Sequence, residues 1–338
     1  MKEIWKYDFG YAFFRPYIHW AVRSSYSRIT VEGLENVPDC RENAVLLASN
    51  HTNTLMDALM ILRARKDPTA FVARADIFKN PFIAQILTNL RILPIYRHRD
   101  CAETQELNQA IFDNVVECIE SGMPLSIFPE GTHRPRRSLL PIKKGIFRMA
   151  HLAVEKHPDK PVYIVPAGIE YEDFFNNMRS VKVRFGAPIR VLGGEDLDEM
   201  TSILHDALSG LFTYFPDDDL LDEAEAAYDA AHRLRPRWWH YVLAVALLPF
   251  FAAAAFLCSP MLLAALFFKG KLRDKAWLNT MRFGCKLFFT PFTVAGALIV
   301  GFLHLPWYLA LLLGLATLYA HPVFYTILVF YKRLFCRI

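Results

Sequence analysis

The last third of the chain contains two stretches with no Asp, Glu, Lys or Arg: residues 238–268, 31 in all, and residues 287–331, 45 in all. A helix needs about 20 apolar residues to cross a bilayer. The second stretch is long enough for two spans, broken near His304-Leu305-Pro306. The first holds one long span or a shallow hairpin, with Pro249 and Pro260 as breakers. Basic residues flank the stretches: Arg233, Arg235 and Arg237, then Lys269, Lys271, Arg273 and Lys275, then Lys332, Arg333 and Arg337. If basic flanks mark the cytoplasm, every boundary faces inward and the tail forms two membrane hairpins. Residues 237–338 are thus expected to be an all-helical transmembrane region, with the rest of the chain on the cytoplasmic face.

The remaining residues are ordinary in charge. The whole chain of 338 residues carries a net charge of only +4, so no nucleic-acid partner is implied. Six cysteines form no CxxC pair and read as reduced thiols. Lys2, Glu3, Lys6, Asp8 and Arg15 interrupt any signal-peptide core. Residues 1–38 are aromatic and basic, with Trp5, Tyr7, Phe9, Tyr11, Phe13, Phe14, Tyr17 and Trp20 beside Lys6, Arg15 and Arg23. They read as an interfacial helix lying on a phospholipid membrane.

From residue 43 short apolar runs alternate with helical patterns. Strands are expected at Ala44–Ser49, Ala70–Ala73, Ile92–Tyr96, Leu125–Phe128, Val162–Ala167 and Val181–Phe185. Helices are expected at Leu55–Arg65, Pro81–Leu90, from an Asp100 cap with Glu103 to Ser121, and at Ile146–Glu155. This order predicts an α/β domain over 39–215, a mostly parallel sheet flanked by helices. Residues 198–234 read as helical, and 216–236 as an acidic linker without chemistry of its own.

Three polar clusters follow strands, where loops present side chains to ligands. The first is Ser49-Asn50-His51-Thr52-Asn53-Thr54-Leu55-Met56-Asp57. Histidine titrates near neutrality and can take a proton from an attacking hydroxyl. Asp57 can hold its other ring nitrogen. Within one helix the two would lie about 240° apart, so His51 is placed in the loop before the helix. The second is Phe128-Pro129-Glu130-Gly131-Thr132-His133-Arg134. Glu130 can accept from substrate hydroxyls, Gly131 admits close backbone approach, and Arg134 can grip phosphate with two parallel bonds. Lys144, just ahead of the next helix, adds a cation at a helix N-terminus that favours anions. The third is Arg91–Arg97, where Arg97 sits just past a strand end and could reach phosphate. His133 and Glu130 lack a third partner at metal-ligand spacing, so no metal is expected.

Together the clusters resemble the glycerol-phosphate and lysophosphatidate acyltransferase family. The family pattern is Asn-His and a later Asp, an apolar strand ending in Arg, Phe-Pro-Glu-Gly-Thr with a following Arg, and an apolar strand holding Pro. Here it is similar to Asn50-His51 with Asp57, Ile92–Arg97, Phe128–Arg134 and Ile164-Val165-Pro166, over roughly residues 30–190. One departure stands out: five residues, not four, separate His51 from Asp57, as in family members of the yeast glycerol-phosphate type. The extra residue must be absorbed in Thr52-Asn53-Thr54.

The resemblance implies that His51 deprotonates an acceptor hydroxyl and Asp57 orients His51. The oxygen then attacks the thioester of acyl-CoA or acyl-carrier protein, with no acyl-enzyme and no cofactor. No Gly-x-Ser-x-Gly elbow is present, in keeping with direct attack. It further implies that Arg97 and Arg134 bind the phosphate of lysophosphatidate or glycerol 3-phosphate, with Glu130, Gly131, Thr132 and Lys144 around the acceptor. Other acceptors in the same reading are dihydroxyacetone phosphate or an amino-acid lipid. A non-catalytic lipid-binding protein and a phosphoester hydrolase using His51 are the readings from other classes.

Overall fold

The computed structural model describes residues 9–65, 67–95 and 113–336. Trp5, Tyr7, Arg97, the Asp100 cap with Glu103, and Arg337 lie outside them. The described strands are β1 (Arg28–Glu32), β2 (Ala44–Ser49), β3 (Ala70–Arg74), β4 (Ile92–Ile95), β5 (Leu125–Ile127), β6 (Val162–Tyr171), β7 (Ser180–Phe185) and β8 (Ile189–Val191). The helices of the same domain are α1 (Phe9–Arg23), α2 (Leu55–Ala64), α3 (Pro81–Asn89), α4 (residues 113–120), α5 (Gly145–Lys156), α6 (Leu197–Ser209) and α7 (Leu221–Ala231).

The strands form one sheet in the order β1-β7-β6-β2-β5-β3-β4, with β8 also on β6. The pairs β1/β7, β2/β6, β2/β5, β3/β5 and β3/β4 are parallel; β6/β7 and β6/β8 are antiparallel. The fold is thus the mostly parallel, helix-flanked sheet expected. Every residue of β2 is buried, as a central strand covered on both faces requires. One face of the sheet packs against α4, α5 and α6 through Val116, Phe147, Met149 and Leu204. The other packs against α1 and α2 through Val22, Met56, Met60 and Ile61, joined by Phe283 from the tail.

Two differences from the sequence reading matter. The segment expected to be wholly interfacial, 1–38, contains β1, which pairs with β7 from Arg28 to Glu32. Its burial pattern is that of an edge strand, too polar to stand out beside the aromatic run. And β6 continues past Ala167 to Tyr171. At Gly168 a Cβ would sit 2.5 Å from Leu211 Cβ, so glycine admits the chain that follows α6. Since β2 ends opposite Ala167, residues 168–171 overhang their parallel neighbour and are held in register by β7.

The tail folds as α8 (Trp238–Leu257), α9 (Ser259–Lys269), α10 (Leu278–His304) and α11 (Trp307–Phe335). Pro260 marks the break between α8 and α9, whereas Pro249 lies within α8. Pro306 caps α11, at the expected break. Among the described residues three helices are long and apolar enough to cross a membrane; α9 is shorter. Their outer faces carry Trp238, Phe256, Leu303 and Leu312, all more than half exposed. The α10/α11 hairpin closes on small residues, for a Cβ on Gly314 would come within 2.5 Å of Leu298 Cδ2.

The N-terminal helix is fastened to this bundle. Lys286 Nζ donates to Ala21 O at 2.6 Å and to Ser25 Oγ at 2.9 Å, and Tyr17 Oη donates to Leu287 O at 2.7 Å. Phe9, Phe13 and Phe14, toward the start of α1, are exposed.

Candidate active site

The site lies at the carboxyl ends of β2, β5 and β6. Where β2 stops, the edge of β6 loses its strand partner, and unpaired backbone groups there would be costly. Asn50 replaces the missing strand. Its Nδ2 donates to Ile169 O at 3.0 Å, and its Oδ1 accepts from Ile169 N at 2.7 Å. The loop then turns and His51 projects from it. Between His51 and Asp57, Thr54 has a φ of 49°, a conformation L-residues rarely adopt. Such strain costs about 1–3 kcal/mol and persists only where surrounding contacts impose it.

Asp57, on the first turn of α2, supplies those contacts. Its Oδ2 accepts from Thr52 N at 2.8 Å and from Asn53 N at 2.7 Å, and lies 2.7 Å from His51 Nδ1. Its Oδ1 accepts from Tyr171 Oη at 2.8 Å. Asp57 is fully buried, and four donors surround it. Nδ1 therefore carries its hydrogen toward the carboxylate, which leaves the lone pair of His51 on Nε2. Tyr171 and Tyr26 stand side by side behind Asp57; burial, together with the negative Asp57, pushes both phenols well above their usual range. Tyr171 thus stays protonated as a donor. Nothing in the sequence marks it except its place on the β6 overhang.

The loop after β5 grips the backbone of His51 on both sides. Glu130 Oε1 accepts from His51 N at 2.7 Å, and Arg134 N donates to His51 O at 3.1 Å. Phe128 stacks on the His51 ring with centroids 4.2 Å apart. Gly131 turns the loop with φ 69°, and Thr132 is exposed on its crest.

Glu130 departs from its expected role. It is 3% exposed, and its Oε2 accepts from Leu140 N at 2.9 Å, so it braces two backbone segments rather than facing a substrate hydroxyl. Burial raises its carboxyl to about 7 against the opposing backbone bonds from Leu140 and His51. A group so shifted binds a proton in the folded chain, and not in the unfolded one, between pH 4.5 and about 7. Stability contributed by that proton is present at the low end of the window and lost as pH rises through it, by about 3 kcal/mol. Thermal denaturation in detergent from pH 5 to pH 8 is expected to show this decline in the wild type and not in Glu130→Gln.

The cations are engaged. Arg134 holds Asp217 with two parallel bonds, Nη2 to Oδ2 at 2.9 Å and Nη1 to Oδ1 at 3.1 Å, and donates from Nη2 to Ser138 Oγ at 2.6 Å. Arg136 pairs with Asp222 and Glu225, and Arg137 with Asp229. The acidic segment expected to be a passive linker is therefore clasped to this loop. Lys144 pairs with Asp198 at the start of α6, 2.6 Å away, and is not brought together with the other site residues. Arg97 lies outside the described residues.

The tail reaches the same place. Asp274 Oδ2 lies 2.8 Å from His133 Nε2, Thr280 Oγ1 lies 2.5 Å from Thr54 Oγ1, and Asn53 and Asn279 both donate to Phe174 O, at 3.2 and 2.8 Å. No sequence signal placed residues 274–280 beside His51, because more than 200 positions separate them from it.

A model of the acyltransferase family matches residues 28–170. Over 81 residues the chain is 37% identical to glycerol-3-phosphate O-acyltransferase 1 of Saccharomyces cerevisiae, a match covering 24% of this chain and 11% of that protein. Over 183 residues it is 26% identical to a 1-acyl-sn-glycerol-3-phosphate acyltransferase of Limnanthes alba, covering 53% of this chain and 61% of that protein. The chain thus spans less than two thirds of the length of either relative. The crystal structure of the 1-acyl-sn-glycerophosphate acyltransferase PlsC from Thermotoga maritima superposes with a TM-score of 0.43 at 20% identity, over 64% of this chain and 81% of that one. Residues 28–170 thus match the acyltransferase family, and the chain is similar to glycerol-3-phosphate and 1-acyl-sn-glycerol-3-phosphate acyltransferases.

Proposed function

We propose that the chain transfers a fatty acyl group from a thioester, acyl-CoA or acyl-carrier protein, to a hydroxyl of glycerol 3-phosphate or lysophosphatidate. The observation that carries this reading is the His51–Asp57 pair. One ring nitrogen is fixed by a buried carboxylate 2.7 Å away, and Nε2 has no hydrogen-bond partner among the described residues. Nε2 takes the proton of the acceptor hydroxyl as its oxygen attacks the thioester carbonyl. The C–S bond then breaks, and the proton passes from the imidazolium to the departing thiolate. Asp57 stays ionised throughout and stabilises the imidazolium.

Arg134 receives the acceptor phosphate in the fork now held by Asp217, since carboxylate and phosphate present matching oxygen pairs. Glu130 and Asn50 hold the loop that aims His51. The apolar tail and the exposed phenylalanines of α1 keep the site at the bilayer, with the catalytic domain on the cytoplasmic face that the basic flanks of the tail favour.

The test is thiol release by the purified full-length protein in detergent. Acyl-CoA and acyl-carrier protein are supplied in turn with glycerol 3-phosphate, lysophosphatidate or dihydroxyacetone phosphate. Thiol release that depends on one phosphorylated acceptor is expected, and Arg134→Ala should raise the KM for it by tenfold or more while KM for the donor stays put. Release of inorganic phosphate without any thioester would overturn the reading in favour of a hydrolase.

A further inference from the structure

The family model matches residues 28–170, yet the stretch between α9 and α10 is built onto the site. Asp274 is the residue that reaches furthest. Its Oδ2 lies 2.8 Å from His133 Nε2, and its Oδ1 accepts from Ala276 N at 2.8 Å. Burial works against its charge, but the bonds from Ala276 and His133 outweigh that and hold its carboxyl below the usual carboxylate range. His133 in turn stands edge-on to His51, with centroids 5.5 Å apart and planes at 76°. His51 is therefore bounded by Phe128 stacked on its ring and by His133 set across it. Trp277 packs edge-on against His133, with centroids 6.0 Å apart.

An isolated ion pair at a half-exposed aspartate is worth little. This one is not isolated. Thr280 meets Thr54, the strained residue between His51 and Asp57, at 2.5 Å. Asn279 shares the carbonyl of Phe174 with Asn53, the next residue but one after His51. The stretch 274–280 thus touches both loops that carry the site, and its contacts converge on the neighbours of one imidazole.

We propose that Asp274 is a positioning residue for acyl transfer: through His133 it fixes the ring of His51, so that the segment leading into α10 completes the active site. The proposal rests on His51 being the base. Its chemistry is orientation alone, with no proton passing through Asp274. Misplacing a reacting group by a fraction of an ångström costs about one order of magnitude in rate, and sparing the phosphate fork leaves acceptor binding intact.

The experiment compares kcat and acceptor KM for wild type, Asp274→Ala, Asp274→Asn, Asp274→Glu, His133→Gln and the double variant Asp274→Ala/His133→Gln, all full length in detergent. Asp274→Ala and His133→Gln should each lower kcat about tenfold with KM changed less than twofold. The double variant should be no slower than the slower single, and Asp274→Glu should recover most of the rate. Asp274→Asn keeps the side-chain shape and both hydrogen bonds and should retain most of the rate, while His133→Gln stands in if the alanine variant melts early. Wild-type kcat in Asp274→Ala, rate losses that multiply in the double variant, or a change in KM alone would overturn the proposal. A His51→Ala control that retains activity would instead sink the underlying assignment of the base, a result the Asp274 series cannot mimic.

Discussion

His51→Ala lowers kcat by about a thousandfold or more, because a positioned general base contributes about two to four orders of magnitude. The expected change is confined to kcat. His51 Nε2 meets only the reacting hydroxyl, so KM for the thioester and for the acceptor should stay within a few-fold. Stability should change little. The side chain is 16% exposed, and the backbone bonds to Glu130 and Arg134 survive truncation at Cβ. Loss of the stack on Phe128 is worth about 1 kcal/mol. Stopped assays of thiol release, read beside a melting curve, separate the two effects. A variant that melts normally and turns over at the wild-type rate would show that His51 does not take the proton.

Asp57 is expected to give a second large effect, in which charge and hydrogen bonding come apart. Asparagine at position 57 fills the same volume. Its amide oxygen can still accept from Thr52 N, Asn53 N and His51 Nδ1, while its NH2 turns toward Tyr171. Tyr171 Oη can accept from that NH2, so the fold is kept. The full negative charge that stabilises imidazolium in the transition state is gone, and kcat should fall by about three to four orders of magnitude. Alanine at position 57 is a different perturbation. It leaves two backbone N–H groups, the imidazole N–H and the Tyr171 hydroxyl facing a fully buried hole. Unmet donors of that kind, with the strained Thr54 no longer restrained, should cost about 3–5 kcal/mol. The asparagine variant should therefore be folded and nearly silent, and the alanine variant should melt well below the wild type. Equal activity in wild type and the asparagine variant would mean that the carboxylate only holds the loop.

The core of the domain is legible in the sequence. Ala44–Ala48 is an unbroken apolar run and Leu125–Phe128 is interrupted only by Ser126, the pattern of central parallel strands covered on both faces. The helix beginning at Leu55 and the placing of His51 in the loop ahead of it followed from 100° per residue alone. The breaks at Pro260 and Pro306 followed from a missing N–H. What escaped were features fixed by partners distant in sequence. Arg28–Glu32 is an edge strand whose polarity hid it behind the aromatic segment before it. The strand expected at Val162–Ala167 runs on to Tyr171, through a Gly168 whose close approach to Leu211 is a tertiary fact. Glu130 carries the residue type of a substrate ligand, and only its burial against His51 N and Leu140 N shows it turned inward. Residues 216–236 read as a linker because the counterions of Asp217, Asp222 and Asp229, namely Arg134, Arg136 and Arg137, lie some 80 to 90 residues upstream.

The four-residue overhang of β6 makes the active site sensitive to length at a place that holds none of its motifs. Ile169 and Tyr171, which receive Asn50 and Asp57, ride on a part of the strand whose register is set by β7. The turn joining them is tied by Glu172, which accepts from Ser180 N at 3.0 Å and Ser180 Oγ at 2.8 Å. A strand advances about 3.3 Å per residue and presents alternate residues to opposite faces. Slipping this hairpin by one position would carry the Tyr171 hydroxyl to the far side of the sheet while every motif residue kept its place in the sequence. The turn at 172–179 acts as a spacer gauge for the catalytic pair. An insertion or deletion of a single residue there is, in its effect, a substitution at Asp57.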